Sequence, residues 1–124
     1  MILADSSIWI QMFRKGVFKA ELNDLITGDQ LCIHPFVAAE LACGSLPERR
    51  NTLHFLDQLH TLPVVRLADV RTMIEARGLY SKGIGLTDAH LIASCLTTPG
   101  TRIWTMDVPL GTVAESLGLR ATVS

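Results

Sequence analysis

Four carboxylates stand where packing alone gives no reason for a charge. Asp5 closes the apolar run Met1-Ile2-Leu3-Ala4, and Glu40 lies inside Phe36-Val37-Ala38-Ala39-Glu40-Leu41-Ala42-Cys43. Asp88 opens the stretch from Ala89 to Leu96, and Asp107 follows Ile103-Trp104-Thr105-Met106. Acidic side chains beside core segments need a partner, because an unpaired buried charge is costly. Two carboxylates about 5 Å apart at an effective dielectric near 20 repel by roughly 3 kcal/mol, and four contain several such pairs. A hard divalent cation relieves that repulsion. Mg²⁺ takes oxygen ligands, keeps several waters and uses one or two direct carboxylates, and Mn²⁺ accepts the same donors. The chemistry of such a site is activation of a water and polarisation of a phosphate oxygen.

Taken singly, each acid has a plainer explanation. Asp5 suits a strand-end turn, Asp88 the first turn of a helix and Asp107 the cap of the last helix. Ser6 and Ser7 read as helix caps, without the G-x-S-x-G setting of a nucleophile. His34, His54, His60 and His90 show no zinc spacing. His90 follows Asp88 by two positions and so falls on a different helix face, which favours a solvent or packing role.

Short apolar runs alternate with helical periods along the chain. Ile2 to Asp5 reads as a strand, and a helix capped by Ser6 or Ser7 runs to about Arg14, its apolar face made by Ile8, Trp9, Met12 and Phe13. A second helix spans Phe18 to Ile26, and Leu31 to His34 is a strand. Pro35 opens a helix that carries Glu40 and ends near Gly44. Arg49 to His60 reads as a helix, Val64 to Leu67 as a strand, and Ala68 to Tyr80 as a helix. Thr87 is the expected cap of a helix from Asp88 to Leu96, before a strand at Arg102 to Thr105. A last helix, Val108 to Leu117, and a possible strand at Ala121 to Val123 complete the pattern. Strands separated by helices pair in parallel through right-handed crossovers. The expected class is α/β, a three-layer α/β/α arrangement with a central parallel sheet of four to five strands. In such sheets ligands bind beyond the strand carboxyl ends, where strand order reverses. Asp5 and Asp107 follow strand ends, and Asp88 sits at a helix amino end. Glu40 joins them only if its helix turns that face inward.

The 124 residues suit one domain, 1–124, with a core that needs no disulfide. Hydrophobic residues make up 48% of the chain, and mean hydropathy is +0.33. The apolar residues are dispersed in short runs, with no membrane-span length and no signal-type amino terminus, so a cytoplasmic protein is expected. Cys32, Cys43 and Cys95 each lie in an apolar run without C-x-x-C spacing and read as buried free thiols. The net charge of −1 argues against a polyanion, but with the four acids neutralised by a cation eight acids remain against eleven Lys and Arg. Arg14, Lys15, Lys19, Arg49 and Arg50 are the clustered cations.

These residues, in this order, resemble the PIN-domain ribonucleases, most closely the VapC toxins of bacterial toxin–antitoxin modules. Leu3-Ala4-Asp5-Ser6-Ser7 is similar to the opening motif and Val37-Ala38-Ala39-Glu40-Leu41-Ala42-Cys43-Gly44 to the second. The third and fourth are matched by Gly85-Leu86-Thr87-Asp88-Ala89-His90-Leu91-Ile92-Ala93 and Ile103-Trp104-Thr105-Met106-Asp107. The resemblance covers nearly the whole chain. It implies a single PIN domain that cleaves RNA endonucleolytically with Mg²⁺ or Mn²⁺, forms a homodimer and is inhibited by a cognate VapB-like antitoxin covering the site. It assigns Asp5, Glu40, Asp88 and Asp107 to catalysis and metal binding, with the Ser6 hydroxyl supporting the acids. After Asp107 the chain has Val108-Pro109-Leu110 where many relatives carry a charged and then an aromatic residue.

Three other classes fit less well. A receiver-type phosphoacceptor needs a strand-borne lysine, and Lys15, Lys19 and Lys82 lie outside the expected strands. A haloacid-dehalogenase-like phosphatase needs an acid two residues after the first, where Ser7 stands. A catalytically silent PIN-like module binding RNA or protein is the alternative, opposed by the four intact acids. The apolar faces of the first helix and of Leu53 to Leu59 suit either the core or a partner.

Overall fold

A computed structural model describes residues 1–123, and within them four strands alternate with seven helices. In chain order these are β1 (Ile2–Ala4), α1 (Ser6–Lys15), α2 (Lys19–Thr27), β2 (Leu31–Ile33), α3 (Pro35–Cys43) and α4 (Arg49–Asp57). They continue as β3 (His60–Thr61), α5 (Leu67–Arg77), α6 (Leu86–Thr97), β4 (Arg102–Trp104) and α7 (Val108–Ser116). All strand pairs are parallel, in the order β3-β2-β1-β4.

That order creates the site. From β1 the chain steps outward to β2 and β3, then returns across the sheet to place β4 on the other side of β1. Right-handed crossovers put α1 to α4 on one face and α5 and α6 on the other. The helix contacts agree, with α1 against α3, α3 against α4 and α5 against α6. Strand order therefore reverses between β1 and β4, and the crevice opens at their carboxyl ends. Apart from the exposed Arg102 that opens β4, both strands are apolar for a physical reason: each is covered on two faces, so Leu3, Ala4 and Ile103 are fully buried. Ile8 and Trp9 of α1 join this core, which settles the first helix's inner face as packing, while Met12 and Phe13 are half-buried beside it.

Three elements differ from the sequence reading. The helix expected through His60 stops at Asp57, and the third strand is His60–Thr61, not Val64 to Leu67. Val64-Val65 has strand composition, but β2 already finds its partner in His60–Thr61, and Leu62 donates to the Ile33 carbonyl before Pro63 ends the ladder. Val64 is left exposed, and Leu67 begins α5. The expected last strand is a single parallel bridge of Arg120 to Ile103 on the outer edge of β4, with backbone bonds at Leu119 and Ala121. Cys43 is exposed at the end of α3, whereas Cys32 and Cys95 are buried as expected.

Candidate active site

Asp5 is the residue the fold constrains most. Directly after β1, its N–H donates to the Trp104 carbonyl and extends the ladder to β4, and its side chain turns back to cap α1. Oδ1 accepts from the Ser7 N–H at 3.1 Å, the Ile8 N–H at 3.4 Å and the Ser7 hydroxyl. Oδ2 accepts from the Thr105 hydroxyl. Asp5, not Ser6 or Ser7, is thus the cap, because only its carboxylate can reach the free N–H groups of the first turn while its backbone is still extended. The same hydroxyls lock the loop after β4: Met106 N–H donates to Ser7 Oγ at 3.0 Å and Asp107 N–H to Thr105 Oγ1 at 2.9 Å. Asp5 is only 5% exposed, and burial pushes its carboxyl above the usual aspartate range against the opposing pull of these bonds.

Asp88 reaches the same crevice from α6. It is the third residue of that helix, which begins at Leu86 with Gly85 as its cap, two residues earlier than the expected Thr87 cap. Oδ2 accepts from the Gly85 N–H at 3.2 Å, fixing the carboxylate at the helix's positive end. Burial raises its pKa first, and the charges of Asp107, Asp5 and Glu40 raise it further. This mutual repulsion is the electrostatic signature of a shared site. Glu40 lies on an exposed face of α3, and Asp107 caps α7 by accepting from the Leu110 N–H at 2.9 Å.

Asp5, Ser6, Glu40, Thr87 and Asp88 line one cleft of about 310 Å³, walled by Val37, Leu86 and Leu91. Among the described residues none of the four acids forms an ion pair with a basic side chain. Asp107 stands outside the cleft lining yet acts on Asp88 through its charge. A larger hollow of about 700 Å³ along α5, lined by Ala68, Arg71, Thr72, Ile74, Glu75 and Ala76, gathers no comparable set of groups.

The matrix of acids, fold and crevice has a counterpart among known proteins, since a family model of the PIN domain matches residues 2–115. The chain belongs to the PIN-domain family. It is similar to Ribonuclease VapC32 of Mycobacterium tuberculosis in two strains, CDC 1551 / Oshkosh and ATCC 25618 / H37Rv. Each is 36% identical over 119 residues, covering 96% of this chain and 94% of the relative.

In this PIN domain the donor set suits a hard cation: carboxylate and hydroxyl oxygens, with no histidine or thiol in the cleft lining. Among the described residues no three acidic, histidine or cysteine side chains close into a ready-made cage. Mg²⁺ binds much of its shell through water and so does not need direct bonds to every acid. Sequence reasoning centred on Ser6, which lines the cleft, and missed Ser7 and Thr105, whose hydroxyls hold Asp5. The signal was present as a hydroxyl two residues after Asp5 and another two before Asp107. Of the cations, Arg49 is engaged at the end of α3, donating to the Ala42 and Gly44 carbonyls.

Of the four histidines, His34 and His90 are buried packing groups, whereas His54 and His60 are exposed and His60 pairs with Asp29. His90 is buried against the Phe36 ring, with centroids 4.5 Å apart. His34 caps α3 by accepting from the Phe36 N–H at Nδ1, which leaves Nε2–H to donate to Ser94 Oγ at 3.1 Å. Ser94 in turn donates to the Pro63 carbonyl at 2.7 Å. Burial, aided by His90, lowers the His34 pKa to about 4, so the ring is neutral.

Proposed function

We propose that this PIN domain, as one unit over residues 1–124, is a metal-dependent endoribonuclease and the toxin of a VapBC-type module. The observation that carries the reading is the meeting of Asp5, Glu40 and Asp88 in one cleft at the strand-order reversal, with Asp107 within charge range and no basic partner. The resemblance to Ribonuclease VapC32 over nearly the full length of both chains supports RNA as the substrate.

Asp5, Glu40 and Asp88 would hold a first Mg²⁺ or Mn²⁺, and Asp88 with Asp107 a second if two are used. Such an ion supplies a lowered pKa for a ligated water and polarisation of a phosphate oxygen. The residues contribute orientation. Ser7 and Thr105 hold both Asp5 oxygens, and the Gly85 N–H holds Asp88, so both carboxylates are oriented before substrate arrives. Ser6, on the cleft wall, is placed to support the acids. No side chain in the cleft is a nucleophile aided by a base, which favours attack by water and products with a 5′-phosphate and 3′-hydroxyl.

A VapB-like antitoxin would cover the cleft. A narrow groove sharing Glu40, walled by Ile10, Phe13, Leu41 and Leu46 with Arg14 at its side, supports an extended segment entering there. A homodimer acting in the cytoplasm completes the reading. No helix among the described residues is long and apolar enough to cross a membrane.

The test is incubation of purified protein with total cellular RNA in Mg²⁺, Mn²⁺ or EDTA, beside Asp5→Asn and Asp88→Asn, with the cut ends mapped. Metal-dependent cleavage lost in both variants is expected. Cyclic phosphate ends, or equal cleavage by the variants, would overturn the proposal.

A further inference from the structure

The first turn of a helix is capped best by Ser, Thr, Asp or Asn. α3 is capped instead by an imidazole, His34, whose Nδ1 accepts from the Phe36 N–H at 3.0 Å. A histidine has a second ring nitrogen, and here it bonds a different helix. Nε2–H donates to Ser94 Oγ on α6 at 3.1 Å, and the Ser94 hydroxyl donates to the Pro63 carbonyl at 2.7 Å. Every polar atom in this chain has its role fixed: acceptance at Nδ1 puts the proton on Nε2, and donation to Pro63 leaves Ser94 Oγ to accept. His34 and Ser94 are both 0% exposed, so water does not replace either bond. The Phe36 and His90 rings, with centroids 4.5 Å apart, join the same two helices.

We infer that His34 and Ser94 are positioning residues that set the separation of Glu40 from Asp88, and with it the fit of the cleft to its cation. This rests on the metal-dependent ribonuclease reading and deepens it. α3 carries Glu40 and α6 carries Asp88, and both acids line the cleft, whereas neither His34 nor Ser94 does. The two helices cover opposite faces of the sheet, α3 packing on α1 and α4, and α6 on α5 and β4. Among the described residues the His34–Ser94 bond is the one hydrogen bond between the cap of α3 and α6. Glu40 follows His34 by six residues and Ser94 follows Asp88 by six, about 9 Å along each helix. Each helix is thus a short rigid arm with the link at one end and an acid at the other. Asp5 and Asp107 need no such link, because they follow β1 and β4, which pair side by side. A shorter cap would hold α3 as a helix but would not reach α6, which accounts for a histidine at this position.

The test measures the Kd for Mn²⁺ from the electron paramagnetic resonance signal of the free ion, with Tm recorded for each metal-free protein. The variants are Ser94→Ala, His34→Asn, their double, and Glu40→Gln with and without Ser94→Ala. His34→Asn keeps an acceptor for the Phe36 N–H and leaves Ser94 bonded to Pro63, so it cuts the link without stranding a buried donor and serves should Ser94→Ala fail to fold. Each single cut should weaken Mn²⁺ binding by about tenfold, and the double no further, because both remove one link. Glu40→Gln should weaken binding too, and adding Ser94→Ala to it should cost nothing more, since the link acts through the placement of Glu40. Leu22→Val is the control: it alters a buried residue of α2, which gives no residue to the cleft, and should lower Tm with the Mn²⁺ Kd unchanged. An unchanged Kd in the link variants, or the same loss from Ser94→Ala in the Glu40→Gln background, would overturn the inference while leaving the nuclease intact. A Kd in Leu22→Val that weakens in step with its Tm would make the effect one of stability and overturn it equally. Wild-type protein that binds no Mn²⁺ would sink the metal-dependent reading first and this one with it.

Discussion

Replacing Thr105 by valine removes one hydroxyl at nearly constant volume and isolates what holds Asp5. Thr105 Oγ1 donates to Asp5 Oδ2 and accepts from the Asp107 N–H at 2.9 Å. The Asp107 N–H is at an exposed position and can turn to water, so its loss costs little. Asp5 is 5% exposed and has no such recourse. A hydrogen bond to an ionised group contributes about 1.5–3 kcal/mol. For 124 residues, unfolding entropy near 60 °C is about 0.26 kcal/mol/K. A loss of about 2 kcal/mol therefore lowers Tm by about 8 °C. The pH dependence has a definite sign. Burial holds the Asp5 pKa above its unfolded value of 3.8, so its contribution to folding stability is full below pH 3.8 and is lost as pH rises through the folded pKa. The Thr105 bond opposes that decline by favouring the ionised form, so Thr105→Val should be most damaging at neutral pH and near wild type once Asp5 is protonated. Differential scanning calorimetry in EDTA at several pH values measures this, with Thr105→Ser as the hydroxyl-retaining control. A Tm within about 2 °C of wild type at pH 7, or a loss independent of pH, would refute the role given to Thr105.

Asp88→Asn should abolish metal-dependent RNA cleavage, by about a hundredfold or more, yet raise Tm in EDTA at neutral pH. The carboxylate there is disfavoured by burial and by three like charges, and asparagine keeps an acceptor for the Gly85 N–H. Because the Asp88 pKa is raised on folding, this stability gain should shrink as pH falls below the folded pKa and vanish below the unfolded value of 3.8; a destabilised variant at pH 7 would contradict it. Mg²⁺ at about a hundred times its Kd should stabilise wild type by about 2.7 kcal/mol, or about 10 °C in Tm, and leave Asp88→Asn nearly unmoved. His34 should remain neutral down to about pH 4, which an NMR titration of its imidazole protons reads directly. As its depressed pKa lies below the unfolded value of 6.5, its stabilising contribution is present above pH 6.5 and is lost as pH falls toward 4. A midpoint near 6.5 would show that the ring is not sealed from water.

Much of this arrangement was legible because the relevant signals are local. An acid at the end of an apolar run, as with Asp5 after Leu3-Ala4, marks both a strand terminus and a crevice, and alternation of strands with helices implies parallel pairing. The sheet order makes β1 and β4 neighbours, and Asp88 on α6 lines the same cleft as Asp5. The third strand was misplaced because strand composition is a weak guide where the strand has two residues: His60–Thr61 is chosen by its register on Cys32 and Ile33, a long-range fact. The exposure of Cys43 and the burial of the His34–Ser94 pair likewise depend on which helix covers which face. The hydroxyls of Ser7 and Thr105 were visible as residues, but their joint hold on Asp5 spans almost the full chain and exists only once β1 and β4 lie side by side.

The measurement that bears most directly on the acidic cleft is anomalous diffraction from crystals of the protein soaked in Mn²⁺. The account predicts an Mn²⁺ peak in the cleft, bound to Asp5, Glu40 and Asp88 directly or through one water, and its loss in Asp88→Asn. Mn²⁺ absent from the cleft at saturating concentration, or bound only at other acids, would contradict it.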